Sequence, residues 1–411
     1  MKFFYIKLLF LGMMNCSLWS CTEAFNNSES SVQIAVNIIK NIKIQDSLIK
    51  VINISTDNER FNIDSIIDVE HIKYVPLETK SVCLIANINK IIINKTNFYI
   101  LDRTSKSIFI FSLEGKFINK ISNVGKGPKE YVDIRDFEIN SFKNEILLYD
   151  DFTSKILHYN LSGDFVKVEQ TGFKFRNIRV LSSDKLLFGV LNAKNVQSKD
   201  INFYSILIAS DLINIDYKGF KNSEAMISNP YVENDYFSSF GDDVIFSPRF
   251  VDTIYNINSK GQAVAKYYLK YENKIPKGFF NTVSNNSNFK KNVENKYTYF
   301  NGTFVENDSD CFFKLSPPDG IYKFCFYNKQ TNKTLSFNSI YSLNANVLSF
   351  AIPINTFENK FLGILPAYSI YQNRGNLIKN KYKPISDVNL KLLNSIKEDD
   401  NPILTIYSMK Y

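Results

Sequence analysis

This sequence predicts an all-β fold assembled from a repeating unit, and three observations carry that expectation. The first is composition. Of 411 residues, 45% are hydrophobic and 22% charged, an ordinary globular balance, while 15% are aromatic, with 35 Phe and 24 Tyr against a single Trp. Rings in such excess favour strands over helices. The second is internal repetition. Phe98-Tyr99-Ile100-Leu101-Asp102, a polar turn, Ile108-Phe109-Ile110-Phe111, Glu114-Gly115 and Lys116-Phe117 return 48 residues later. The second copy reads Ile146-Leu147-Leu148-Tyr149-Asp150, Ile156-Leu157-His158-Tyr159, Ser162-Gly163 and Asp164-Phe165. The third is that two strand-like segments, 71–79 and 401–407, bracket the repeated region.

Taken in order, the chain opens with Lys2 and Lys7, an apolar run over 8–14, and Leu18-Trp19-Ser20-Cys21. A basic start, a short apolar stretch and a small residue before a cysteine read as a lipoprotein signal peptide over 1–20, with Cys21 acylated. No later stretch approaches a membrane span, so the lipid on Cys21 is the expected sole membrane attachment. Residues 21–46 begin polar and read as a tether, leaving 47–411 as the folded domain.

Each repeat is strand, turn, strand, Gly hairpin, strand, with period-2 apolar alternation and no helical period. A third copy spans 244–261, close to three periods after the first, so a degenerate copy belongs between them, at 186–190 with 203–208. Weaker copies lie at 310–315 with 321–327, and at 347–352 with 360–365. A strand-only repeat of this length marks a β-propeller blade, whereas β-sandwiches do not repeat in sequence. Roughly 330 residues at that period give six or seven blades, and a ring of six four-stranded antiparallel blades is the expectation. A ring must not leave a strand edge unpaired at its seam, so 71–79 and 401–407 are expected together in the last blade. One short C-terminal helix is expected over 387–398.

Several of these elements together resemble the six-bladed β-propeller lipoproteins of gut and oral Bacteroidota. The motifs that carry the likeness are Tyr74-Val75-Pro76-Leu77-Glu78-Thr79, Tyr99-Ile100-Leu101-Asp102, Gly125-Lys126-Gly127-Pro128-Lys129-Glu130-Tyr131, Ile134-Arg135-Asp136-Phe137, Asp252-Thr253-Ile254-Tyr255 and Asn401-Pro402-Ile403-Leu404. They span nearly the whole chain after the tether. Lys129 stands where the family usually has Gly. The resemblance implies a cell-envelope lipoprotein with a propeller related to the NHL type, on the outer membrane, and implies little about activity.

In a propeller, the loops joining second to third strands and those joining successive blades share one face, where ligands bind. Arg103, Lys126, Glu130, Arg135 and Asp151 fall in such loops and are the candidate ligand-binding residues; Lys129 and Asp136 accompany them. Asp102 and Asp150 end strands at matched positions and are expected to cap turns. No catalytic set is assembled: the chain has two His, and neither His71 nor His158 stands beside a nucleophile and an acid in sequence. No metal-ligand spacing and no phosphate loop occur, so neither metal nor cofactor is expected.

The net charge of +8 falls to +6 once Lys2 and Lys7 are removed, and its basic residues are scattered rather than clustered, which argues against nucleic acid. Of five Cys, three remain in the folded domain. Cys311 and Cys325 flank Pro317-Pro318-Asp319-Gly320 and are either a hairpin disulfide or two buried thiols. These features favour a monomeric, non-enzymatic binding module for a glycan, peptide or envelope protein. Two alternatives stand beside it: a hydrolase or lyase acting on polysaccharide at the channel mouth, and a sensor component of an outer-membrane uptake or signalling system. The membrane face, periplasmic or exterior, is left open.

Overall fold

The computed structural model describes residues 39–410, apart from 47–48, 56–59, 192, 194, 197–198, 224–234, 283–289 and 380–384. The signal segment, Cys21 and most of the tether lie outside the described residues.

Five strands precede the first blade: β1 (Lys40–Asn41), β2 (Lys43–Gln45), β3 (Lys50–Asn53), β4 (Arg60–Asn62) and β5 (Lys73–Pro76). Blade 1 is β6 (Lys90–Ile93), β7 (Asn97–Asp102), β8 (Ser107–Ser112) and β9 (Phe117–Ile121); blade 2 is β10 (Asp136–Asn140), β11 (Glu145–Asp150), β12 (Lys155–Asn160) and β13 (Phe165–Gln170). Blade 3 comprises β14 (Asn177–Ser182), β15 (Lys185–Gly189), β16 (Tyr204–Ala209) and β17 (Ile215–Lys221), and blade 4 comprises β18 (Phe237–Phe240), β19 (Asp243–Phe246), β20 (Thr253–Asn258) and β21 (Gln262–Lys270). Blade 5 holds β22 (Tyr299–Glu306), β23 (Asp310–Ser316), β24 (Lys323–Asn328) and β25 (Thr334–Phe337), followed by the short β26 (Ser339–Tyr341). Blade 6 is β27 (Pro353–Phe357), β28 (Lys360–Leu365) and β29 (Ile403–Tyr407), with β5 as its outermost strand. All pairings within the blades are antiparallel, giving the expected ring of six four-stranded blades.

The repeat is legible in the backbone as well as in the side chains. Asp102 accepts Thr104 N–H (2.9 Å) at its own turn and Ala86 N–H (2.9 Å) from the strand-entry loop. Asp150 does the same with Phe152 N–H (3.0 Å) and Val132 N–H (2.9 Å). Both carboxylates are therefore buried structural caps, as their matched positions predict. Lys106 and Ser154, again one period apart, close those turns in the left-handed region at φ 50° and 55°.

Cores form between neighbouring blades. Tyr99, Ile110, Ile121, Tyr131, Phe137, Ile146 and Leu148 are all buried at the seam of blades 1 and 2. Each fully buried ring of this kind stabilises the fold by about 3 kcal/mol.

Closure follows the expected route. β29 pairs with β5 from Ile403↔Pro76 to Ile406↔Lys73. Asn401, 3% exposed, locks the seam: its Oδ1 accepts Ile85 N–H (2.9 Å), and its Nδ2 donates to Glu78 O and Cys83 O (both 2.8 Å). Gly115, at φ +82°, brings the last turn of blade 1 against β5, where a Cβ would collide with Pro76 O.

Four features depart from or extend the sequence reading. Residues 347–352 are not the inner strand of blade 6. They lead into it, with Val347, Leu348 and Ala351 buried in the core and Ala351 Cβ only 2.7 Å from where a Cβ on Gly363 would stand. Residues 40–45, placed in the tether by composition, form strands instead. β1 pairs in parallel with β17, β2 and β3 with β21, and β4 with β26, so these four short strands strap the outer edges of blades 3 and 4 and the end of blade 5. The expected C-terminal helix is α2 (Asp387–Ser395), capped by Ser386, and a second helix, α1 (Ala367–Ile378), precedes it; both are inserted between β28 and β29. Cys311 and Cys325 are separate buried thiols, because the register sets Cys311 opposite Tyr327 and Cys325 opposite Phe313.

Candidate binding channel

The innermost strands β6, β10, β14, β18, β22 and β27 each pair on one side only, so six backbone edges face the central channel. Unpaired N–H and C=O groups on an inner edge need partners. Side chains supply many of them across blade boundaries. Asn355 Nδ2 donates to Ile91 O (3.0 Å), joining blade 6 to blade 1. Lys90 Nζ donates to Phe137 O (2.6 Å), joining blades 1 and 2. Asp136 Oδ2 accepts Ile178 N–H (2.9 Å), joining blades 2 and 3.

These links are the edge of a charged network. Lys90 Nζ lies 3.0 Å from Asp136 Oδ1 and 3.5 Å from Glu138 Oε2. Arg179, 6% exposed, reaches Asp136 and Glu138 through one terminal nitrogen (both 3.4 Å) and pairs with Asp235 through the other. Burial works against its charge, but the carboxylates of Asp235, Glu138 and Asp136 outweigh that and raise the guanidinium pKa further. Planar Arg is suited to such a junction because its five donors can serve three acids and two carbonyls together.

The channel holds a cavity of about 440 Å³. Asn89, Lys90, Glu138, Arg179, Asp235 and Asn355 bring its polar wall from five of the six blades. Ser239 and Thr356 line its far end, so it extends along the inner strands. The wall is polar and every carboxylate in it is ion-paired. Such a cavity suits hydrogen-bonded recognition of a polar group. Among the described residues, no group of three or more His, Cys, Asp or Glu is arranged to hold a metal ion. No helix among them is long and apolar enough to cross a membrane.

The loop residues singled out in the sequence do share one face. The linker between blades 1 and 2 packs on the second-to-third-strand turns of both: Tyr131 OH donates to Lys106 O (2.8 Å) and Lys155 Nζ to Glu130 O (2.7 Å). Arg103 is exposed, its N–H bonded to Asn89 Oδ1 (2.8 Å) at the channel rim. Lys126 is exposed. Glu130 turns inward on its own loop, its carboxylate accepting Gly127 N–H (2.7 Å) and filling the space beside Gly125. Arg135 N–H bonds Tyr149 O (2.9 Å), and Asp151 pairs with Arg176 at 3.5 Å. Lys129 lies over the Phe165 ring at 5.6 Å. Asp136 is the one drawn into the channel network. These loop residues do not line the cavity itself. The residues the sequence reading passed over are Lys90, Glu138, Arg179 and Asp235. A signal for two of them was present: Lys90 and Glu138 stand 48 residues apart, the repeat period, with opposite charge.

Fold and channel together define a six-bladed propeller with a polar central cavity. The chain belongs to the family described as a domain of unknown function, DUF4934, whose model matches residues 49–408. Among solved structures it is similar to a Bacteroides fragilis NCTC 9343 protein described as exported, at 23% identity and TM-score 0.71, covering 88% of this chain and all of the other. It also matches a DUF4221 family member from Bacteroides vulgatus ATCC 8482, at 8% identity and TM-score 0.45, over 84% of this chain and 98% of that one. No curated protein matches the sequence.

Proposed function

We propose that this protein is an exported, lipid-anchored, non-enzymatic binding propeller of the cell envelope, taking part of a glycan, peptide or envelope protein into its central channel. The carrying observation is the cavity of about 440 Å³ whose polar wall is drawn from five blades. A ligand there touches side chains held rigid by inter-blade hydrogen bonds, the arrangement in which binding costs least ordering. The lipoprotein box at Leu18-Trp19-Ser20-Cys21 supports export and anchoring, and the similarity to a Bacteroides fragilis protein described as exported accords with it.

The test is a glycan and peptide array screen with the full chain, followed by thermal-shift titration of each hit. A saturable hit weakened by Asn355→Ala supports the channel reading. A hit lost instead on Arg103→Ala, Lys126→Ala or Arg135→Ala moves the site to the loop face. Silence across both arrays undercuts ligand binding.

A further inference from the structure

Two cations, Lys90 and Arg179, line the channel cavity, yet their donors are already spent on the protein. Lys90 Nζ donates to Asp136 Oδ1 (3.0 Å) and Phe137 O (2.6 Å) and faces Glu138 Oε2 at 3.5 Å, which occupies all of its N–H groups. One terminal nitrogen of Arg179 donates to Ile178 O (2.7 Å) and Asp136 Oδ2 (3.4 Å), the other to Asp235 and to Phe237 O (3.5 Å). Of the guanidinium N–H groups, only Nε is left.

The acids are less fully occupied. Glu138 Oε1 accepts Ile139 N–H (3.0 Å), and Asp235 Oδ1 accepts Phe237 N–H (3.1 Å). A carboxylate offers about four acceptor positions, so with its cations counted Glu138 keeps about one free and Asp235 about two.

Beside them stand groups that donate or accept. The Ser238 hydroxyl is buried in the wall without a hydrogen-bond partner, and Ser239 and Thr356 add two more hydroxyls. Asn89 spends its Oδ1 on Arg103 N–H (2.8 Å) and keeps its Nδ2 donors unspent among the described residues. Between these polar groups the wall is hydrocarbon, from Ile92, Ile93, Ile354 and Ile364.

That balance discriminates among ligands. An anion would lie against Glu138 and Asp235 with a single cation N–H to receive it, an unpaired buried charge. A peptide accepts through rigid carbonyls as often as it donates, and those carbonyls would be short of donors. An alkylammonium only donates and would leave Asn89 Nδ2 unpaired. A sugar hydroxyl both donates and accepts, and the C–H face of a pyranose ring suits the isoleucine strip.

We infer that the channel takes a neutral pyranose unit of a glycan and rejects anionic ligands, which rests on the channel recognition proposed above. Lys90 and Arg179 are then positioning residues: they hold Glu138 and Asp235 in place and do not themselves receive an acidic ligand.

The full chain is titrated, by saturation-transfer NMR, with the methyl pyranosides of glucose, galactose, mannose, xylose and N-acetylglucosamine. Glucuronate and galacturonate methyl glycosides are the anionic counterparts, and tri-alanine is the peptide probe. Probes this small bind at about 1 mM. At least one neutral pyranoside should saturate in that range, bind at least about tenfold more tightly than either uronate or the peptide, and be lost in Ser239→Trp. Ser239→Lys, which places an unspent cation on the wall, should tighten the uronates at least about tenfold. No saturable neutral pyranoside overturns the inference. A uronate or tri-alanine bound as tightly as the best sugar, and displaced by the tryptophan, also overturns it while leaving channel recognition standing. A sugar that binds Ser239→Trp as well as the parent overturns both. If Ser239→Trp does not fold, Ile354→Trp, at an exposed position of blade 6 on the same cavity, takes its place under the same criteria.

Discussion

Asn401→Ala probes the seam on which the ring depends. The side chain makes three hydrogen bonds from a position 3% exposed, to Ile85 N–H, Glu78 O and Cys83 O. Glu78 O keeps a second partner in the Cys83 thiol (3.1 Å), so truncation orphans two groups outright, Ile85 N–H and Cys83 O. An orphaned buried backbone group costs about 1–3 kcal/mol, which puts the loss near 3 kcal/mol. With a urea slope of about 3 kcal/mol/M, the unfolding midpoint falls by about 1 M. The assay is equilibrium urea unfolding followed by circular dichroism and by fluorescence. Because the seam joins the first and last strands of one blade, both probes should move together. A midpoint within about 0.2 M of the parent would refute the assignment of Asn401 as the lock.

Three further outcomes are expected. Arg179→Met leaves Asp136, Glu138 and Asp235 with only Lys90 among them and costs about 3–5 kcal/mol in the same urea assay; a loss under about 1 kcal/mol would show the network to be dispensable. Asp150→Ala removes a buried cap with bonds to Val132, Phe152 and Thr153 and costs about 3 kcal/mol, whereas Asp151→Ala, breaking only a half-exposed pair with Arg176, stays within about 0.5 kcal/mol. Burial pushes the thiols of Cys83, Cys311 and Cys325 up in pKa, so in a chain with Cys16→Ser and Cys21→Ser none should react with a disulfide reagent at pH about 8 until the protein unfolds. Rapid labelling of the native protein would contradict the packing of blades 1, 5 and 6.

Much of the ring was legible in the chain because each blade repeats one local problem. Asp102 and Asp150 cap equivalent turns, Gly115 and Gly163 both take φ near +85°, and the aromatic alternation returns at the same offset. Closure was legible because a ring cannot leave its seam unpaired. What escaped was set by contacts that no local pattern records. Residues 347–352 are as apolar as an inner strand, but Val347, Leu348 and Ala351 are buried in the core as a lead-in, and the inner strand starts at Pro353. The strap of β1 to β4 forms by adding parallel strands to edges more than 150 residues away, as in Lys40↔Tyr217. The channel network was hidden for the same reason: Lys90, Asp136, Arg179 and Asp235 sit on four blades. Each looks like an ordinary strand-end charge until the inner edges converge.

If ligand recognition lies within the channel, plugging the channel abolishes it. Ser239 is exposed on the channel wall, so Ser239→Trp fills the cavity without disturbing a buried contact. Binding of an array hit is measured by calorimetry in the parent and in the plugged protein. Affinity is expected to fall by at least about a hundredfold, near 2.7 kcal/mol, while the ligand-free protein unfolds at an unchanged urea midpoint. A hit that binds the plugged protein as tightly as the parent would contradict it and move recognition to the loop face around Arg103 and Lys126.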